Sequence, residues 1–219
     1  IDGINWNKIE LYHPIDDDNS VYNATVVPMD LELDKNNRLW ASSTISPEYS
    51  MVGGQWGDNP PKGGGKLYRL NEEGTSATFI YAIKIDRNTS NGTVTMQGRR
   101  TEMAFTADNQ LIVLCIAPEL YEGYWRVVPR LYKGSIENWI QGTQKELPKP
   151  NDNDTGIEVY DFARGQGYYS VSLAAHPSNK DRAYVGGINL FSSNQAGEDW
   201  GQLTHQRGRY AQYIHADQH

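Results

Sequence analysis

The sequence predicts an all-β fold, and three observations carry that reading. First, 21 glycines and 14 tyrosines stand beside only 21% charged residues, a usage that suits many short strands and turns better than long helices. Second, no window of about twelve residues keeps a 3.6-residue apolar period without a glycine, proline or β-branched run breaking it. Third, in AYVGGINLFSSNQAGEDW (Ala183 to Trp200) apolar residues alternate with small ones up to Ser192. Ser193, Gly197 and Trp200 then follow at the spacing S-x-x-x-G-x-x-W. Short polar side chains and a glycine free to take φ > 0 suit a tight turn there, with the indole folding back over the hairpin.

Three segments repeat one pattern: LELDKNNRLWASS (Leu31 to Ser43), MAFTADNQLIVLC (Met103 to Cys115) and LAAHPSNKDRAYVGG (Leu173 to Gly187). Each is a short apolar strand, a polar turn and a second strand, opened by Leu39, Leu111 and Ala183 at steps of 72 residues. A hairpin of this shape begins a β-propeller blade. Third strands are expected at Lys66 to Leu70, Arg130 to Lys133 and Ile188 to Ser192, with outer strands at Ala77 to Ile85 and Asp199 to Thr204.

The expected architecture is one partial propeller region over residues 1–219, with units at about 24–95, 96–168 and 169–212 and residues 213–219 starting the next blade. Blades need only about 40 to 50 residues, so inserted loops are expected at Ser46 to Gly65, Ala117 to Pro129 and Leu147 to Gly167. Three to four blades make a partial ring where closed ones have typically four to eight, so either the region is expected to belong to a larger propeller with further blades or a partner is expected to hold it. An open two-sheet sandwich is the alternative.

The net charge of −7 comes without a basic stripe, which argues against a nucleic-acid partner. Cys115, the single cysteine, sits in LIVLCIA and reads as a small buried apolar residue, so no internal disulfide is expected. No apolar run of about 18 residues is present, so the chain is not expected to span a membrane. A chain that opens on Ile1 and closes on His219 reads as mature or partial.

HADQH is the sharpest polar constellation. On a strand His215, Asp217 and His219 share one face, as a metal site, an acid/base cluster or a hydrogen-bonded patch would require. Asp152, Asp154 and Gly156 form a D-x-D-x-G run that a calcium ion would suit, with a solvated turn as the plainer reading. The Asp16 to Asn19 run lacks the glycine and glutamate of an EF-hand. The Gly63 to Lys66 run misses the phosphate-loop spacing and reads as a flexible lead into KLYRL. With no G-x-S-x-G and Cys115 in an apolar strand, serine or cysteine hydrolysis has no support. Tyr49 and Trp56 in the first insertion, and Tyr121, Tyr124 and Trp125 in the second, are candidate binding rings for a glycan or protein.

The run from Gly167 to His219 resembles the sortilin-like Asp-box propeller repeats of large secreted proteins from Bacteroidetes. The likeness is carried by Tyr184 to Leu190, by the Asp-box residues Ser193, Gly197 and Trp200 with Gln195 at the usual aspartate position, and by His215 to His219. It implies a secreted or cell-surface module exported by type IX secretion, with the secretion machinery as a further partner. The expected function is a non-catalytic binding module for protein or glycan, without a cofactor other than calcium. The alternative is an Asp-box glycoside hydrolase, whose paired carboxylates would come from Asp30, Glu102 and Asp217.

Overall fold

A computed structural model describes residues 8–9, 11, 26–44, 64–89, 92–121, 124–152, 161–209 and 211–215. The described chain is all-β apart from one short helix. It forms three four-stranded antiparallel meanders in chain order.

The first sheet contains β1 (Val27–Leu33), β2 (Leu39–Thr44), β3 (Lys66–Leu70) and β4 (Ala77–Ala82). A separate hairpin follows, β5 (Lys84–Thr89) with β6 (Gly92–Gln97). The second sheet is built from β7 (Thr101–Phe105), β8 (Leu111–Tyr121), β9 (Tyr124–Gly134) and, beyond helix α1 (Ile136–Gln141), β10 (Lys145–Leu147). The third comprises β11 (Ser172–Ala175), β12 (Ala183–Gly186), β13 (Leu190–Ser193) and β14 (Gly201–Gln202). Short strands β15 (Thr204–His205) and β16 (Gln212–Tyr213) then pair in parallel. Leu39, Leu111 and Ala183 each open the second strand of their own sheet.

Each sheet closes its first hairpin with a polar side chain that turns back on its own backbone. The Asp34 carboxylate accepts from the amides of Asn36 and Arg38, with Asn37 at φ 58°. The Thr106 hydroxyl accepts from the Gln110 amide, with Asn109 at φ 66°. In the third sheet His176 Nδ1 accepts from the amides of Ser178 and Asn179. These are Asx-type turns and their relatives, and asparagine tolerates the left-handed conformation they need.

Cross-strand register defines two faces on every sheet. On one face Leu31, Ala41 and Tyr68 lie across from one another, as do Met103, Val113 and Tyr132, and Leu173, Val185 and Phe191. The opposite face carries Trp40 and Leu67, Ile112, Leu114 and Leu131, and Tyr184 and Leu190. The Trp40–Leu67 face packs on the Met103–Val113–Tyr132 face around Leu111, Cys115 and Trp139. The Ile112–Leu131 face packs on the Leu173–Val185–Phe191 face around Ile116, Leu147 and Phe162. The three sheets thus stack in series, always by unlike faces. Strand β8 is buried on both sides, so LIVLCIA is continuously apolar rather than alternating. Repeated hairpins in three stacked sheets do not fit the two-sheet sandwich alternative.

First strands meet at each joint. Met103 N donates to Asp30 Oδ2 at 2.7 Å, linking β7 to β1. Arg100 donates from Nη1 to Tyr169 O and from Nη2 to Val171 O at 3.0 Å, linking the start of β7 to the lead into β11.

Several expectations need correction. Ala117 to Pro129 is no loop: β8 and β9 stay in register from Ile116↔Pro129 to Tyr121↔Tyr124 as a long hairpin arm. Prolines 118 and 129 suggested a break because proline lacks the ladder N–H. They fit where that N–H would point away from the partner strand, and beyond Ile116 no other described strand pairs with β8. The third strand expected at Ile188 starts at Leu190, and the outer strand expected at Ala77 to Ile85 ends at Ala82. The one expected from Asp199 to Thr204 divides into β14 and β15, and Gln212–Tyr213 pairs with β15. Gly64 and Gly65 are not a flexible lead. They are buried against Gly98 and Arg99, where a Cβ on either would come within 3 Å of backbone, and Gly65 N donates to Arg99 O. Most of the Ser46 to Gly65 insertion, and 153–160 of the third, lie outside the described residues.

Candidate functional site

In an antiparallel meander the start of the first strand and the link from second to third strand share one end of the sheet. The β8–β9 arm, Arg100 and the Tyr168–Tyr169 pair ahead of β11 therefore gather at one end of the stack. Tyr168 and Tyr169 are 73% and 52% exposed, and Leu120 on the arm is 57% exposed. The tyrosine backbone is held firmly, since Tyr169 N donates to Gln166 O at 2.9 Å and Arg100 donates to Tyr169 O. At the base of the arm Ile116 packs against Gly167, where a Cβ would come within 3 Å of the Ile116 Cδ1 methyl.

Ion pairs brace the arm. Arg130 grips Glu146 with two hydrogen bonds, Nε to Oε1 at 2.9 Å and Nη2 to Oε2 at 2.7 Å. Lys149 pairs with Glu119. Register places Leu120 opposite Trp125 and Tyr121 opposite Tyr124, so three of the candidate aromatic residues lie at the tip of this arm. Tyr49 and Trp56 fall outside the described residues, in the stretch linking β2 to β3.

Acidic residues line the first strands. Asp30 uses both oxygens on backbone amides, Oδ1 for Leu31 and Oδ2 for Met103. Glu102 receives Arg100 Nε at 2.8 Å in a pair whose side chains are 13% and 14% exposed. Burial raises the Glu102 carboxyl above its usual range, while Arg100 pulls it back and the Asp30 charge adds to the rise. Burial is also the main cause that lifts Glu32 to about 7, helped by Asp30 and opposed by the Leu33 amide. The structure therefore brings Asp30 and Glu102 within electrostatic reach and adds Glu32, which sequence spacing alone did not single out. Asp217, with His219, lies outside the described residues, and His215 is exposed just ahead of it.

Ser193, Gly197 and Trp200 make the turn their spacing implied. The Ser193 hydroxyl accepts from Gly197 N at 2.7 Å and from Gln195 N at 3.1 Å, with Gly197 at φ 94°. Asp199 Oδ1 accepts from Ser193 Oγ at 2.7 Å and from the amides of Asn194 and Gln195. These bonds, the Ser193 hydroxyl foremost, hold the Asp199 carboxyl below its usual range. The turn thus takes its carboxylate from Asp199, although Gln195 stands where the aspartate was expected. Trp200 Nε1 reaches across to Pro148 O at 2.9 Å, so this indole ties the third sheet to the second.

Asp152 is buried, and its Oδ2 accepts from Arg164 Nη2 at 2.5 Å and Asn189 Nδ2 at 3.0 Å. The Arg164 guanidinium and Asn189 thus share Oδ2 of Asp152, and Asp154 lies outside the described residues. Among the described residues no cluster of three His, Cys, Asp or Glu is arranged to hold a metal. Cys115 is fully buried and its thiol is pushed up to about 11 by that burial, as suits an inert packing residue. No helix among the described residues is long and apolar enough to cross a membrane.

No protein-family model matches the chain, and no curated protein does. Among solved structures it is similar to the Penicillium chrysogenum alpha-L-arabinanase complexed with arabinobiose, at 10% identity and a TM-score of 0.38. The match covers 89% of this chain and 69% of that one. A likeness this distant carries neither a fold nor an activity across.

Proposed function

We propose that this chain is part of a β-propeller that serves as a non-catalytic binding module, taking a glycan or a protein loop on the end that carries Tyr168, Tyr169 and the β8–β9 arm. The observation behind the reading is the pair of adjacent, solvent-facing tyrosines, with the backbone of Tyr169 bonded on both sides by Arg100 and Gln166. A backbone already held leaves less chain entropy to lose on binding, and exposed tyrosine rings stack well on sugar faces or apolar side chains. Three serially stacked meanders with adjoining first strands support the propeller part of the reading. Secretion to the cell surface by the type IX route is proposed on the sequence resemblance alone.

Affinity electrophoresis against a panel of neutral and acidic polysaccharides, with protein pull-down alongside, tests the proposal. Binding that survives Tyr168→Ala with Tyr169→Ala undiminished would refute this choice of surface.

Glycoside hydrolysis is the second reading, favoured by Glu32 near neutrality beside the Asp30 carboxylate. It is the weaker one, because Asp30 and Glu102 are already engaged in holding strands together. Chromogenic glycoside turnover abolished by Glu32→Gln would restore it.

A further inference from the structure

Glu102 stands at one end of a short relay that reaches the exposed tyrosines. Its Oε1 receives Arg100 Nε at 2.8 Å, and the side chains of Arg100 and Glu102 are only 13% and 14% exposed. The other two nitrogens of that guanidinium go to the backbone ahead of β11, Nη1 to Tyr169 O and Nη2 to Val171 O at 3.0 Å. One carboxylate thus orients the fork, and the fork ties the tyrosine turn to β7. Within the turn Tyr169 N and Ser170 N share a single acceptor, Gln166 O, at 2.9 and 2.8 Å. Arg100 from its own strand and Asp30 from β1 are the charges that act on Glu102. Strand β8 sets the apolar Leu114 opposite it, and β11 (Ser172–Ala175, SLAA) carries no ionisable side chain.

We propose that Glu102 is a switch on the Tyr168–Tyr169 turn: ionised, it holds the Arg100 fork on both carbonyls, and protonated, it lets the fork swing toward solvent and the turn loosen. A part-buried guanidinium stripped of its counter-charge is costly to keep in place, and a neutral carboxyl accepts a hydrogen bond about half as strong as a carboxylate does. Mild acid is enough to reach the protonated form, because burial raises the Glu102 carboxyl above its usual range against the opposing pull of Arg100. The turn is therefore held at neutral pH and released in acid. That the turn is a binding surface rests on the reading above, and on that reading whatever it binds is let go as the pH falls.

Hydrogen–deuterium exchange of the 219-residue chain from about pH 8 down to about pH 4.5 tests the switch. Corrected for the intrinsic pH dependence of exchange, amides 166–171 are expected to exchange about tenfold faster at the acid end, the effect of losing one charge-assisted hydrogen bond, while those of β8 hold constant. Glu102→Gln should show the fast rate at every pH. Arg100→Lys should do the same, since an ammonium cannot span Glu102 and two carbonyls as a planar fork does. A flat wild-type profile, or a slow rate in Glu102→Gln, overturns the proposal. Should Glu102→Gln deprotect β8 as well, the wild-type profile alone decides. The measurement uses no ligand, so a failed switch leaves the tyrosine surface to the polysaccharide screen, and a failed screen leaves the switch standing.

Discussion

Leu31 and Met103 hold the same register position on the first strands of neighbouring sheets, yet Leu31 is 58% exposed and Met103 is 0% exposed. The difference comes from position in the series: a sheet precedes β7, and none among the described residues precedes β1. Met103→Ala is therefore expected to cost about 2–5 kcal/mol through lost burial and a residual cavity. Leu31→Ala should stay within about 1 kcal/mol in the monomer. Urea unfolding at low protein concentration compares the two, and equal losses would contradict the serial stacking.

Asp30→Ala strips the β1–β7 joint of its acceptor and leaves the Met103 amide without a partner. An unsatisfied buried amide costs about 1–3 kcal/mol, and Asp30→Asn, which keeps one oxygen, should recover part of that loss. Denaturant midpoints of the two variants measure it. If alanine and asparagine are equally mild, the carboxylate is not what ties the strands.

Much of the architecture could be read from the chain because its signals are local. Asp34, Thr106 and His176 mark the first turn of each sheet through side chains that bond to nearby backbone, and such turns need no tertiary context. The β8–β9 arm was hidden for the opposite reason. Pro118 and Pro129 argue against strands locally, and they fit because no other described strand pairs with β8 beyond Ile116. Glu32 gave no sequence signal either, since its raised carboxyl depends on burial and on the Asp30 charge. Gln195 stands at the box's usual aspartate position, and the turn's carboxylate comes instead from Asp199, which accepts from the Asn194 and Gln195 amides.

Removing the Asp199 carboxylate should loosen the turn that Ser193 and Gly197 form. Its pKa is lowered in the fold, so its contribution is present above the unfolded value of a free aspartate and is lost as pH falls through the folded value. Thermal unfolding of Asp199→Asn should therefore differ from wild type at neutral pH and converge with it in acid. A constant difference down to about pH 2 would show that the charge is not responsible.

Glu32 gives the reverse dependence. Its carboxyl is raised from 4.5 to about 7, so the folded protein holds a proton that the unfolded chain releases. The favourable contribution is full below about pH 4.5 and disappears as pH climbs to about 7. After discounting for its half exposure, the swing is roughly 1–2 kcal/mol. Glu32→Gln cannot ionise, so its stability should stay flatter from pH 5 to 8, and the variant should be the more stable protein at pH 8. Parallel pH–stability curves for wild type and Glu32→Gln would mean that the carboxyl titrates normally in the fold. That would also remove the ground for acid catalysis at this strand, because a general acid working near neutrality needs the raised value.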